Sequence, residues 1–262
     1  MELKAAVAQR ASASAARGAQ GAVCRRCGQC CLRGGPVLMQ QDASLLENGL
    51  LDPRWLVSLR KGEWVRDDVR GVLCQQEQER IKLAGAGSGA HPWRCCQYHS
   101  EAGLAQCAIY ERRPAQCAAL FCQAPQALEN LLTYENPLSR AEACRALGQG
   151  NAKLPVTLWL ELAAAHEEQN PVAPALDLAA RMGFAPKDSY CDVATASEAG
   201  GGAAPDAAAR AALMEELTLA VRTDTNFREL CVERAALPKA LLPFVLGRPL
   251  AALLAEVGLR LC

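Results

Sequence analysis

Apolar residues recur at three- and four-residue intervals through much of the second half of this 262-residue chain, and this spacing predicts amphipathic helices. Two of them, "LPVTLWLELAAAHEEQ" and "APALDLAARMGF", open with a proline, a residue favoured in the first turn of a helix. Three more follow: "AALMEELTLAVR", "NFRELCVERAAL" and "RPLAALLAEVGLRL". The second half is therefore predicted to be helical to its end.

Capping residues predict where some of these helices begin and end. In "NPLSRAEACRALGQG", Asn136 is the predicted N-cap and Pro137 the first helical residue, and Gly148 lies just past the predicted end. Further along, Asn226 and Glu229 stand in a capping relation. That relation predicts a helix start separate from the helix before it.

The first half of the chain is less regular. "PVLMQ" predicts a short strand, Asp42 is the predicted N-cap of "ASLLENG", and Asp52 with Pro53 predicts a second short helix, "RWLVSLRKG". "EWVR" and "RIKLA" predict extended segments, and "GAGSGAHP" predicts a loop. The glycines of that loop run into His91 and Pro92 with no helix behind them, so a phosphate-binding loop is not predicted.

Composition and charge narrow the class of protein. The chain is 51% apolar, enough to fill a core, and its 28 basic and 28 acidic residues cancel. No global field therefore favours nucleic acid or an anionic membrane, and no run reaches the roughly 18 to 20 apolar residues of a membrane span. The first twenty residues lack the apolar core of a secretory signal. We expect a cytoplasmic protein with no nucleic-acid partner and no membrane.

The cysteine content is unusual: the chain has fourteen cysteines, and ten of them lie between Cys24 and Cys122. In a reducing cytoplasm, clustered cysteines indicate metal binding or catalysis more than disulfides. The octet "CRRCGQCC" has C-x2-C-x2-C spacing, which is typical of three ligands to an iron–sulfur cluster and less typical of a single zinc ion. Cys31 adjoins Cys30, so it is predicted either to serve a second site or to pack as a neutral thiol.

The segment "CCQYHSEAGLAQCAIYERRPAQCAALFC" contains a second cysteine group, which could supply the remaining ligands of a metal bound by the octet. Pro114 predicts the first turn of a helix through "PAQCAALFC", which places Cys117 and Phe121 on one face. The alternative, reduced cysteines filling a small core, stays open for both groups. The cysteines scattered through the rest of the chain are predicted to be small buried apolar residues: Cys144, Cys191, Cys231 and Cys262.

These motifs resemble the YkgJ-like cysteine-cluster family, a zinc- or iron-chelating domain with C-x2-C-x2-C-C near its start. The family's second signature is matched at Cys107, Ile109, Tyr110, Arg113, Pro114, Cys117 and Phe121, with Cys96 ahead of them. The resemblance covers roughly residues 21–125. Ala118 stands where the family often has a basic residue, and Cys74 and Cys95 are extra thiols, so the number of ligands is open.

Other residues near the cysteines have more than one interpretation. Tyr110 is expected to be a buried tyrosine bonded to backbone, with a role beside cluster sulfur as the alternative, and Arg113 is expected to balance thiolate charge. His91 and His99 are interpreted as solvated loop residues, and His166 as lying on a polar helix face without a role. No serine elbow, HExxH motif or Walker loop is present, and no catalytic residue is assigned.

The fold class predicted from these patterns is mostly α with a small irregular α+β metal-binding front domain. We expect residues 1–20 to be a flexible N-terminal tail, 21–125 a cysteine-cluster metal-binding domain, and 126–262 a helical domain. Within the last of these, "ATASEAGGGAAPDAAA" loses its periodicity and holds three consecutive glycines, which predicts a flexible loop near 194–209.

The predicted function is that of a cysteine-ligated metal-binding protein that carries an iron–sulfur cluster with a redox or cluster-dependent modifying role. A zinc-stabilised structural or adaptor protein without catalysis is the alternative, and the partner, protein or small molecule, is not predicted. Some flagellin lysine N-methylases are similar in their cysteine cluster, but no glycine-rich methyl-donor loop supports that activity here. Eight cysteines are the predicted metal ligands: Cys24, Cys27, Cys30, Cys31, Cys96, Cys107, Cys117 and Cys122.

Overall fold

The structure, a computed structural model, describes residues 27–67, 72–101, 104–121, 124, 126–134, 136–186 and 205–261. It is about 53% helical, with a few small antiparallel sheets, so the predicted mostly α fold with a small α+β region is confirmed. No helix within these ranges is both long enough and apolar enough to cross a membrane.

Ten α-helices lie in the described ranges: α1 Gln29–Arg33, α2 Ala43–Glu47, α3 Ala115–Ala119, α4 Gln126–Tyr134, α5 Arg140–Gly150, α6 Val156–Gln169, α7 Val172–Arg181, α8 Ala207–Glu233, α9 Leu242–Leu246 and α10 Leu250–Glu256. The described 3-10 turns are Gln40–Asp42, Pro53–Trp55, Tyr110–Arg112 and Lys239–Leu241. The helices predicted for "LPVTLWLELAAAHEEQ", "APALDLAARMGF" and "RPLAALLAEVGLRL" are confirmed as α6, α7 and α10.

Within the same described ranges, six four-residue strands pair as three separate antiparallel ladders. The strands are β1 Leu56–Leu59, β2 Trp64–Asp67, β3 Val72–Gln75, β4 Arg80–Leu83, β5 Tyr98–Glu101 and β6 Leu104–Cys107. β1 pairs with β4, β2 with β3, and β5 with β6. The extended segments predicted for "EWVR" and "RIKLA" are confirmed as β2 and β4.

Among the side chains that the structure describes, two clusters of buried residues stabilise the fold. The larger one includes residues of both predicted domains, for example Leu38 and Ile81 together with Leu147 and Phe244. The smaller one lies among α7, α8 and α10 and includes Leu176, which is buried. The domain boundary near residue 125 stays a prediction.

Several predicted helix ends are wrong. Ser139, not Asn136, caps α5 through a reciprocal capping box with Glu142, and Gly148 lies inside that helix. Asn226 lies within α8, which is continuous over 27 residues and therefore joins two predicted helices. The cap of α8 is Asp206, whose side chain accepts a hydrogen bond from the Ala209 N–H at 2.8 Å.

The loop predicted for 194–209 falls largely outside the described residues. The part of it that is described includes the start of α8 at Ala207. The predicted N-terminal tail, 1–20, also lies outside the described residues.

The front half departs from prediction in three places. "RWLVSLRKG" is not a helix, because only the Pro53–Trp55 turn is helical and the four residues that follow it, all buried, form β1 against β4 and α9. "PVLMQ" makes only isolated bridges, at Val37 and Met39, and no strand. Asp42 precedes α2 but makes no capping bond to it; its carboxylate instead accepts bonds from the N–H groups of Met39 and Ala115, each at 2.8 Å.

His166 is fully buried, so its assignment to a polar helix face is wrong. Its Nε2 lies 2.7 Å from Oδ1 of Asp224, and its Nδ1 lies 3.5 Å from Nη1 of Arg60. Because a guanidinium can only donate, Nδ1 accepts and Nε2 carries the proton that goes to Asp224. Burial lowers the pKa of His166, so the imidazole is neutral in this setting.

Three buried arginines converge on the chain at the end of α9. Arg140 donates to the Val245 carbonyl at 2.8 Å, Arg60 to the Arg248 carbonyl at 3.1 Å, and Arg228 to the Gly247 carbonyl at 3.0 Å. The last carbonyls of a helix have no partner within it, so they need donors when they are buried. These arginines supply donors and tie α9 to β1, α5 and α8.

Candidate metal centre

The structure brings most of the predicted ligands into one region at the edge of the larger core. Cys30 and Cys31 lie on α1, Cys107 ends β6, and Cys117 lies on α3. Cys96 lies just before β5. Cys27 precedes α1 and is exposed, while Cys24 and Cys122 lie outside the described residues.

Gly28 docks the start of α1 onto the β5–β6 hairpin. Its φ of 74° lies in the left-handed region, which favours glycine. A Cβ at this position would lie 2.7 Å from Cβ of Ala105 and 2.8 Å from Cε2 of Tyr98. The glycine within the octet therefore allows the backbone to approach the hairpin closely, which carries Cys30 and Cys31 toward Cys107.

Backbone hydrogen bonds connect the two cysteine groups. The Cys95 N–H donates to the Cys31 carbonyl at 2.8 Å, and Cys95 also forms an isolated antiparallel bridge with Gly85. The Cys96 N–H donates to the Ala84 carbonyl at 3.3 Å. Segments more than sixty residues apart along the chain thus meet here without a disulfide.

The N-terminus of α3 is held by Asp42, a residue distant in the sequence. The helix begins after Pro114, as predicted, and Asp42 accepts the Ala115 N–H, so an acidic side chain lies at the positive end of this short helix. Burial raises the pKa of Asp42, while the two backbone donors act in the opposite direction. The helix ends at Ala119, so Phe121 does not share a helical face with Cys117 as predicted.

Arg113 and Tyr110, the two polar members of the motif, contact each other beside the thiols. The Arg113 guanidinium lies 4.3 Å from the centroid of the Tyr110 ring and donates to the Tyr110 carbonyl at 2.9 Å and to the Cys117 carbonyl at 3.4 Å. Its positive charge lowers the pKa of Cys107, although burial raises that pKa more. Arg113 therefore orders the Cys117 segment and favours the thiolate form of Cys107, while the balancing of ligand charge stays a prediction.

The cysteines of this region include two pairs of sequence neighbours whose thiols interact by a hydrogen bond. The Sγ atoms of Cys30 and Cys31 are 3.9 Å apart. The hydrogen bond from Cys31 lowers the pKa of Cys30 to about 6, and the same contact raises the pKa of Cys31. Cys95 and Cys96 behave alike: a hydrogen bond from Cys96 lowers the pKa of Cys95 to about 7, with the charge of Lys82 acting in the same direction, and the pKa of Cys96 is raised.

Cys107 and Cys117 respond to the thiolates of both pairs. Burial is the main cause that raises the pKa of Cys117, and the charges of Cys95, Cys107 and Cys30 raise it further. Burial also raises the pKa of Cys107, again with contributions from Cys95 and Cys30. A negative charge on Cys30 or Cys95 therefore opposes ionisation of Cys107 and Cys117.

Within the described residues, no three His, Cys, Asp or Glu side chains stand close enough together to hold a metal ion as they are placed. A bound metal would therefore draw these thiols closer to one another. His91 and His99 are exposed, as predicted, although His99 lies on β5 and not in a loop, with Nε2 3.2 Å from Oε1 of Gln106. Cys74 lies on β3, half-buried.

The burial predicted for scattered cysteines is confirmed for the two that are described, since Cys144 and Cys231 are 1% and 3% exposed in the larger core. Cys191 and Cys262 lie outside the described residues. Sequence reasoning placed Cys95 in the second cysteine group and left its role open. It missed Lys82, whose charge acts on Cys95, because no local pattern indicates a contact that long-range pairing creates.

Comparison with known proteins finds no matching family model, no similar curated protein and no similar solved structure.

Proposed function

We propose that this protein binds a metal centre through its clustered thiols, as an iron–sulfur protein with a redox or cluster-dependent modifying role. The observation that carries the proposal is that separate segments of the chain bring thiols together: the Cys95 N–H donates to the Cys31 carbonyl, and Cys31, Cys96 and Cys107 pack against the core that contains Cys95. Burial and the charges of neighbouring thiols raise the pKa of Cys107 and Cys117, so these groups are neutral without a metal, and a metal ion or cluster would displace their protons and offset the charge of the resulting thiolates. The resemblance of the two cysteine motifs to a metal-chelating family supports the same proposal.

The residues fit such a group chemically. Thiolates are the ligands of iron–sulfur clusters, and the site also has donors that stabilise negative charge, namely Arg113 and Lys82. A bound iron–sulfur cluster supplies one-electron transfer or a site for substrate binding at iron. The protein's own residues would hold the thiols in position, exclude water on the side of the core, and lower the cost of burying their charge.

A structural zinc ion is the second candidate, and one feature of the fold favours it. The strands around the thiols form separate two-stranded ladders of four residues each, which are marginal on their own. Zinc bound by thiolates contributes directly to the free energy of folding, so one ion would stabilise this region. In this case the protein is an adaptor without catalysis.

One measurement separates the two candidates and tests the proposal itself. The full chain is purified without oxygen, its visible spectrum is recorded, and iron, zinc and acid-labile sulfide are measured per chain. Broad visible absorption with matching iron and sulfide supports the iron–sulfur cluster, whereas a colourless protein with about one zinc per chain supports the structural role. A protein that holds neither metal, even after reconstitution, contradicts both.

A further inference from the structure

Both clusters of buried side chains cross the boundary predicted near residue 125. The larger one contains Leu56 of β1 and Ile81 of β4 together with Phe244 of α9. The smaller one is built from α7, α8 and α10, and Trp64 of β2 packs against it. A domain that folds alone needs a hydrophobic core of its own. Among the described residues, neither core is confined to one half of the chain.

The turn between β1 and β2 packs against the helical half. A Cβ on Gly62 would lie 2.8 Å from Cβ of Ala173, on α7, so the turn approaches that helix closely. Glu63 is fully buried, and its carboxylate accepts a hydrogen bond from Arg248 Nε at 2.8 Å. A buried charge that loses its partner is strongly unfavourable. Separating the turn from the helical half would therefore break a buried ion pair as well as a close contact.

The thiol region belongs to the same packed unit. Cys95 is 6% exposed within the larger core. The Arg248 guanidinium that donates to Glu63 also lies 5.5 Å from the centroid of the Trp93 ring, two residues before Cys95. On the other side of Cys95, the Cys96 N–H donates to the Ala84 carbonyl, directly after β4. The segment that carries Cys95 therefore contacts both β4 and the chain between α9 and α10.

We propose that the thiol region and the helical half unfold as one cooperative unit, so that a metal bound at the thiols stabilises α7, α8 and α10 as strongly as β4. A ligand that binds only the native state stabilises every element that unfolds together with its site. This inference rests on the proposed function and goes beyond it, because the metal then controls the stability of helices outside the thiol region. The same result holds whichever of the thiols ligate the metal.

Hydrogen exchange in the full chain tests how far the stabilisation by the metal extends. Metal-loaded and chelator-treated wild type are exchanged in parallel, and mass spectrometry follows the most protected amides of β4 and α8. In a cooperative unit these amides exchange only when the whole unit opens. We expect the metal to slow exchange in both elements by the same factor, about 100-fold for zinc buffered at 100 times its Kd. Slowing confined to β4 would overturn the inference.

A substitution in the smaller core tests the cooperative unit without metal. Leu217 is fully buried on α8, whereas Leu219, two residues later on the same helix, is 63% exposed. In chelator-treated protein, Leu217→Ala should speed exchange in β4 as much as in α8, by at least about thirtyfold, because it leaves a cavity in the core. Leu219→Ala is the control and should leave both rates near those of the wild type. Faster exchange in α8 alone would mean that the two halves open separately.

The wild type decides the question if Leu217→Ala fails to fold. Its exchange at increasing urea should have the same urea dependence in β4 and in α8, and different dependences would contradict a single unit. A wild type that binds no metal contradicts the proposed function, while these metal-free measurements still test the cooperative unit. A metal-loaded wild type whose α8 gains no protection overturns the inference and leaves the proposed function standing.

Discussion

Replacing Asp224 by Asn tests the buried polar network that joins the helices of the second half. The Asp224 side chain is 2% exposed. One of its oxygens accepts from His166 Nε2 at 2.7 Å, the other accepts the Leu250 N–H at 2.8 Å, and Arg228 Nε lies 3.0 Å from both. Asn keeps the shape of the side chain, but it removes the charge and places an N–H2 donor against a neighbouring donor.

The expected cost follows from leaving Arg228 charged and unpaired. Arg228 is 8% exposed, and its remaining partners are neutral carbonyls at the end of α9. Removing one partner of a buried ion pair destabilises proteins by about 3 to 5 kcal/mol. In a chain of this length each kcal/mol lowers the melting temperature by about 2 to 4 °C, so the expected loss is about 6 to 20 °C.

Urea unfolding followed by circular dichroism at pH 7 measures this cost, with Asp177→Asn as the matched control. Asp177 is exposed on α7, and the same substitution there should change the free energy of unfolding by less than about 0.5 kcal/mol. If Asp224→Asn and Asp177→Asn have equal unfolding midpoints with equal slopes, Asp224 does not neutralise a buried charge and the network has been misinterpreted.

Three further predictions test the other parts of the structure. Gly28→Ala should cost at least about 2 kcal/mol of stability and lower metal content, because the added Cβ clashes with Ala105 and the backbone is strained as well. Gly49→Ala is the control, because Gly49 has the same left-handed φ but a Cβ there meets nothing within 4 Å. An equal loss of stability in both variants would refute the close approach at Gly28. Arg113→Lys should weaken metal retention, because Lys keeps the charge but loses the planar guanidinium that donates to the Cys117 carbonyl. The control Arg112→Lys changes an exposed neighbour and should match the wild type. Unchanged metal retention in both variants would show that Arg113 does not order the Cys117 segment. The contribution of His166 to stability should depend on pH, because burial lowers the pKa of the folded imidazole. This contribution is complete above about pH 6.5, where the unfolded imidazole is also neutral. It is lost as the pH falls below that value, at up to about 1.4 kcal/mol per pH unit. Urea midpoints measured from pH 7.5 to pH 5 should therefore fall more steeply in the wild type than in His166→Asn, and parallel curves would contradict a neutral buried imidazole.

Much of the helical half was predictable because its signals are local. The helical spacing of apolar residues can be seen within a single segment of the sequence, so α6, α7 and α10 were identified without knowledge of their tertiary contacts. Their ends were less predictable, because competing caps lie close together. Asn136 has the properties of an N-cap, but Ser139 forms a reciprocal box with Glu142 and starts the helix three residues later.

The strand β1 shows where local signals fail. "RWLVSLRKG" follows Asp52 and Pro53, a pair that favours a helix start, and the structure does form one 3-10 turn there. The next residues become a strand because they pair with β4 and pack against α9, and all four are buried there. A short apolar run fits either a helix or a strand, and its tertiary neighbours decide between them.

In the candidate site too, some features were predictable from the sequence and others depended on the tertiary structure. The cysteine motifs and Arg113 were found from sequence, because short spacings and residue types carry that information. Which cysteine-bearing segments meet was decided by the tertiary structure, through the close approach at Gly28, the Cys95–Cys31 hydrogen bond and the cap of α3 by Asp42. His166 is the clearest case, since its local sequence is polar, yet the packing of α6 against α8 buries it beside Asp224. Sequence determined the local helices and the thiol chemistry, whereas pairing across the chain, which depends on burial and on partners far away, decided which of those groups meet.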